Sequence, residues 1–389
     1  MSASRPVVAI FRDLLWNANE PFILNQSGGL QRFQARYFGV GHVTGLVSPP
    51  ETFFLNRGGH LGRFYDRALK RYGFSPPMIR AMRAAKAEIL HAYTGVDGAV
   101  AMPLAKRLRI PLVVTFTGFD VNATEAELRR SSLRCQTFVR NRDALGREAE
   151  LIIAVSDFLR QRLLARGYPD ERTVVHYTGV DTEIFRADER VKREPVVLFV
   201  GRFIPVKGVT HLIAALRDLR RRVPEARLVL AGDGPQRRAL EQQASDMGVP
   251  AEFLGAIPTM EVRRWMNRAR VLAVPSVRAP SGETEALSMV ILEAQAMALP
   301  VAAFDSGGIH EAMGENGLLA PEADVRQLAA DIEALLTRDD LWHRISAAGR
   351  RAVCERFNLA RQTAILEDLY DQVLARHRRR AFEGPLPYA

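Results

Sequence analysis

The 389-residue chain has only two cysteines, Cys135 and Cys354, far apart in sequence. That excludes a disulfide framework and a cysteine-ligated metal cluster, and it fits a reducing compartment. No stretch reaches the roughly eighteen apolar residues that a membrane span needs. The apolar run at 7–11 is too short for a signal-peptide core and no small-residue cleavage site follows it, so a cytoplasmic location is expected. The eight histidines are scattered and no Asp-x-Asp element occurs, so no metal site is expected. A dinucleotide fingerprint is also missing. Gly39-Val40-Gly41 is followed by Thr44 where a third glycine should stand, which argues against a nicotinamide-dependent oxidoreductase. Internal repeats and low-complexity tracts are absent.

What is present is a hydrophobic fraction of 47% on a chain long enough for two cores. The net charge is +10, and its placement is uneven. Residues 57–109 carry eleven basic against three acidic side chains, a local balance of +8. Such a surface suits an anionic partner. The segment has no zinc-ligand spacing, recognition-helix signature or aromatic RNA-binding motif, so an anionic membrane surface is expected rather than nucleic acid. The plainer alternative is a generally arginine-rich protein, since 49 arginines stand against five lysines.

Strand-like apolar runs alternate with longer helical patterns throughout, which predicts parallel sheets covered by helices. Strands are expected at 6–11, 42–47, 88–92, 110–116, 150–155 and 173–176, then at 195–200, 226–231, 251–254, 270–274, 300–304 and 317–319. Six in each half give an α/β protein of two doubly wound, Rossmann-like domains, 1–185 and 195–358. The polar stretch 186–194 reads as a linker. A sheet-covering helix is predicted over 210–222, with Leu212, Ile213, Leu216 and Leu219 on one stripe, and another over 288–298. A last helix over 359–375 opens the C-terminal segment 359–389. It runs into the arginines of 376–380, which suit anionic lipid or a solvated helix end.

Several short motifs cluster near predicted strand ends in the second half: Gly201-Arg202, Lys207-Gly208, Gly232-Asp233-Gly234-Pro235, Leu254-Gly255, Pro275-Ser276, Leu299-Pro300 and Gly307-Gly308 with Glu311. Glu285 precedes an apolar helix and Glu293 lies inside it. Cations beyond a strand end and free amides at a helix start are means of holding a diphosphate. In order and spacing these motifs resemble glycosyltransferase family four, and the resemblance spans most of the chain. It implies the GT-B fold, two Rossmann-like domains facing each other across a cleft, with the last helix crossing back to the N-terminal domain. It also implies a retaining, metal-independent transfer from a nucleoside-diphosphate sugar, UDP preferred over GDP, without a cofactor. The acceptor implied is a glycan hydroxyl, lipid-linked, in polysaccharide or lipopolysaccharide synthesis, with the protein peripheral on the inner face of the cytoplasmic membrane. The alternatives are a GT-B transferase with a soluble acceptor and a catalytically impaired sugar-nucleotide-binding protein.

By the same resemblance Arg202 and Lys207 neutralise the leaving diphosphate and Glu285 orients the donor sugar. Glu293 accepts from the ribose hydroxyls, and Gly201, Gly255 and the amides of Ser288, Met289 and Val290 complete the donor site. Thr117 and Asp120 lie in the motif that touches the donor sugar, while Glu20 and His91 are expected on the acceptor side. Two departures stand out. Ala286 follows the first glutamate where the family usually has glycine. Thr117 stands where many relatives have histidine, so this position hydrogen-bonds but neither carries charge nor acts as a base near neutral pH.

Overall fold

The computed structural model describes residues 5–15, 21–42 and 48–383. Among them the chain forms two compact units, Val180–Asn358 and Met1–Gly179 with Leu359–Ala389. Residues 186–194 group with the former, where the Asp188 amide donates to Asn267 Oδ1 at 2.9 Å.

The first unit is built on seven strands: β1 (Val7–Leu15), β2 (Gln34–His42), β3 (Thr52–Phe54), β4 (Ala87–Tyr93), β5 (Leu112–Phe116), β6 (Leu151–Ala154) and β7 (Thr173–Val175). They pair in parallel in the order β3-β2-β1-β4-β5-β6-β7. Two of these strands differ from expectation. The strand expected at 42–47 lies instead at 34–42, residues 43–47 fall outside the described ones, and β3 carried no sequence signal. The helices that matter below are α1 (Gly59–Tyr72), α2 (Gly95–Leu108) and α3 (Leu133–Glu148).

The second unit has six parallel strands, β8 (Glu194–Val200), β9 (Arg227–Ala231), β10 (Ala251–Gly255), β11 (Ala269–Val274), β12 (Val301–Asp305) and β13 (Leu318–Pro321). Their order is β10-β9-β8-β11-β12-β13. All six sit where the apolar runs placed them. Helices on both faces bury Val196–Phe199 completely, which is why such strands read as unbroken apolar runs. Helix α4 (Val209–Leu219) follows β8 and α5 (Met289–Ala296) follows β11.

Helix α6 (Leu359–Glu383) belongs to the first unit. Its Leu366, Tyr370 and Val373 pack in one core with Ile10, Phe33 and Tyr93. Buried Glu367 accepts from the amides of Gln31, Arg32 and Phe33 at 2.8, 2.6 and 3.2 Å. Two of the arginines near its end are engaged by protein carboxylates, Arg378 with Glu88 at 3.1 Å and Arg380 with Glu150 at 2.8 Å.

Candidate active site

In an open parallel sheet, strand order reverses at one point, and the loops leaving the carboxyl ends there part to opposite faces. In the second unit that point lies between β8 and β11. The loop after β8 carries Gly201, Arg202, Lys207 and Gly208, and the loop after β11 carries Ser276, Glu285 and the start of α5. Gly208 has φ 61°, and a Cβ on it would overlap the Pro275 carbonyl oxygen. The Val277 amide donates to the Val206 carbonyl at 2.9 Å. Only glycine permits the two loops this approach.

That approach sets the charges. Lys207 Nζ forms an ion pair and hydrogen bond with Glu285 Oε1, and buried Ser276 Oγ donates to the same oxygen at 3.1 Å. Behind them, the Gly308 amide donates to the Glu285 carbonyl at 2.9 Å, and a Cβ on Gly308 would overlap the Ala286 carbonyl oxygen. Ala286 itself is buried with an ordinary negative φ, so alanine here imposes no left-handed strain. Arg202 is exposed, and its guanidinium makes no hydrogen bond or ion pair among the described residues.

Helix α5 opens at Ser288 with no side-chain cap, and the Ser288 hydroxyl is buried without a partner among the described residues. The amides of Ser288, Met289 and Val290 likewise have no acceptor there, leaving the donors of a helix start unfilled. Glu293 sits one turn further on, half-buried, with no hydrogen bond to its carboxyl among the described residues. Burial alone pushes that carboxyl up to about 7, because crowding protein atoms disfavour the charged form. Gly255 ends β10 with φ 74°, and its carbonyl accepts from Gly232 at 2.8 Å. Among the described residues the arrangement offers one free cation, one paired cation, unfilled amides and an unpaired carboxyl along one sheet edge. Such a set suits a diphosphate joined to a polyhydroxyl group.

Residues 194–338 match the family model described as glycosyl transferases group 1, and residues 33–184 match glycosyltransferase family 4. The GDP-mannose-dependent alpha-(1-6)-phosphatidylinositol monomannoside mannosyltransferase of Mycolicibacterium smegmatis is 31% identical over 283 residues, 69% of this chain and 72% of that protein. The chain belongs to glycosyltransferase family 4. This transferase is also 28% identical over 280 residues to the amylovoran biosynthesis glycosyltransferase AmsK of Erwinia amylovora, covering 70% of this chain and 66% of that protein. Among solved structures, Anabaena HepE in complex with UDP and glucose superposes with a TM-score of 0.75 at 22% identity, covering 95% of this chain and 100% of that one. That likeness gives the GT-B fold.

In the first unit of the transferase the expected residues fare differently. Thr117 is half-buried just after β5, at the carboxyl edge of its sheet. Asp120 is buried and its Oδ2 accepts from the Gly95 amide at the start of α2. Burial raises that carboxyl to about 6. His91 is a correction. It has no exposed surface, its Nδ1 lies 2.6 Å from Tyr370 Oη and its Nε2 2.7 Å from Thr115 Oγ1, so neither nitrogen is left for an acceptor. Its pKa falls to about 3 as burial disfavours the imidazolium. Glu20 lies outside the described residues. Sequence reasoning missed the bond from Ser276 to Glu285, although the Pro275-Ser276 motif marked the position. It also missed the buried charges at the end of β1, where Arg12 pairs with Asp97 at 2.7 Å and Lys70 with Asp13 at 2.7 Å.

Proposed function

We propose that this family 4 enzyme transfers a sugar from a nucleoside-diphosphate sugar to a hydroxyl of a lipid-linked glycan, with retention of anomeric configuration and without a metal. The observation that carries the reading is the convergence, at the switch point of the second sheet, of Arg202, the Lys207–Glu285–Ser276 triad and the unfilled amides of α5. Arg202, Lys207 and those amides meet the charge that grows on the diphosphate as the glycosidic bond breaks, where fixed donors favour the transition state over the ground state. With two cations and a helix start in place, no bound ion is required for that neutralisation. Glu285, held by Lys207 and Ser276, orients the donor sugar. Glu293 accepts from two vicinal ribose hydroxyls once ionised. Thr117 supplies a hydroxyl for hydrogen bonding, and the leaving phosphate takes the acceptor proton, so no imidazole is needed at that position.

UDP is the first choice of donor nucleotide. GDP is the second reading, favoured by the GDP-mannose-dependent relative at 31% identity. The lipid-linked acceptor and a peripheral place on the inner membrane face rest on the basic region 57–109 and on that relative's glycolipid substrate. Transfer of radiolabel from UDP- and GDP-sugars into organic-phase and aqueous acceptors, in the presence of EDTA, tests the reading. Label entering the organic phase with the donor's own anomeric configuration supports it. Label confined to soluble glycan supports a soluble acceptor, and a requirement for added divalent metal contradicts the metal-free transfer.

A further inference from the structure

The first unit carries a surface that has no partner among the described residues and that donor chemistry does not use. Helix α1 reads Gly-His-Leu-Gly-Arg-Phe-Tyr-Asp-Arg-Ala-Leu-Lys-Arg-Tyr, and its large apolar side chains do not all turn inward. Leu61 is 74% exposed, Phe64 59%, Tyr72 75% and Phe74, just beyond the helix, 45%. Only eight large hydrophobic residues are at least 45% exposed among the described ones, so four within fourteen positions form a patch rather than a scatter. His60, Phe64, Arg67 and Arg71 lie at helical spacing on one stripe, and with Tyr72, Phe74 and Leu133 of α3 they line an open groove of about 750 Å³.

The charge on this face has one sign. Arg57, Arg63, Arg67 and Arg71 are exposed, and none is paired with a carboxylate among the described residues. The acid of α1, Asp66, is turned inward to Lys70 at 2.7 Å, and Lys70 also reaches Asp13 at 2.7 Å. The inner side of α1 is thereby tied to the end of β1, while the outer side presents aromatic and aliphatic groups ringed by guanidinium. A soluble polyanion would satisfy the arginines and leave Leu61, Phe64 and Tyr72 in water. An apolar protein partner would bury those three and leave four guanidinium groups to be desolvated. An anionic bilayer satisfies both, with apolar side chains among the acyl chains and arginines at the headgroups.

We infer that α1 is the membrane-docking element of this enzyme and that it binds by inserting Leu61, Phe64 and Tyr72 into an anionic bilayer. This rests on the lipid-linked acceptor reading above and deepens it: the broad basic region resolves to one helix, and charge alone does not hold it. Bound this way, the helix brings the end of β1 to the lipid surface through Lys70 and Asp13.

Flotation of the full chain with phosphatidylcholine vesicles, with and without phosphatidylglycerol, at low and high salt, tests the inference. The wild type should float with anionic vesicles and keep a substantial bound fraction at high salt. Leu61→Ser/Phe64→Ser/Tyr72→Ser should weaken binding about tenfold or more, and Arg63→Gln/Arg67→Gln/Arg71→Gln should do the same and remove the preference for anionic lipid. Because all six side chains are exposed, both variants should unfold at the wild-type temperature. Failure to float, or flotation that the serine variant leaves intact and salt abolishes, would overturn the inserted helix. So would a lipid-free dimer that the serine variant dissociates, which would assign the face to a second copy. Thermal stabilisation by UDP or GDP in the same preparations keeps the two readings apart. Retained nucleotide binding without flotation defeats only the docking helix, whereas flotation without nucleotide binding defeats the transferase site.

Discussion

Lys207 has two roles at the residue scale: in the free enzyme it neutralises Glu285, and in the proposed reaction it faces the leaving diphosphate. Lys207→Ala should lower kcat about a hundredfold or more while changing donor Kd much less, because the lost charge matters most as the bond breaks. Comparing steady-state turnover with equilibrium donor binding separates the two. Glu293 sets a pH dependence. Its carboxyl is raised to about 7 from an ordinary value near 4.5, so the folded state holds a proton that the unfolded chain has lost. Stability from this group is therefore full below about pH 4.5 and is lost as pH rises through about 7, a difference of about 3 kcal/mol at most. Glu293→Gln should remove that slope, so denaturation midpoints of variant and wild type should converge toward pH 5 and separate toward pH 8 in the variant's favour. Equal slopes in the two proteins would contradict the account.

At the scale of elements, the proposed donor site depends on how closely the loops after β8, β11 and β12 approach. Gly308→Ala places a methyl group against the Ala286 carbonyl and pushes on the segment that carries Glu285. It should cost about 1–3 kcal/mol and lower activity at least tenfold with helix content unchanged. Chemical denaturation and a turnover assay check both; wild-type activity would show that the loop tolerates the shift. The second sheet was legible from sequence because its central strands, β8, β9, β11 and β12, are largely buried and read as apolar runs. In the first sheet, β2 carries Gln34, Arg36, Gly39, Gly41 and His42, too polar and glycine-rich to stand out, and three-residue β3 is shorter than any periodicity. The approach of these loops was readable because Gly208, Pro275 and Gly308 are demanded by it and leave marks in sequence. His91 was not, because the tyrosine that satisfies it lies 279 positions away on α6.

For the whole molecule, two doubly wound units give this transferase a sheet switch point in each half, and the second unit's is the one proposed to take a nucleoside diphosphate. The first unit adds buried charges at the end of β1 and a basic, apolar helix on its surface. The central claim is that the edge between β8 and β11 is the donor site. Isothermal titration of UDP and GDP into the wild type, Arg202→Ala and Glu293→Ala tests it most directly. The account predicts that one nucleoside diphosphate binds the wild type with a stoichiometry near one and that each substitution weakens it about tenfold or more. Equal binding in all three proteins, or binding of neither nucleotide, would contradict it.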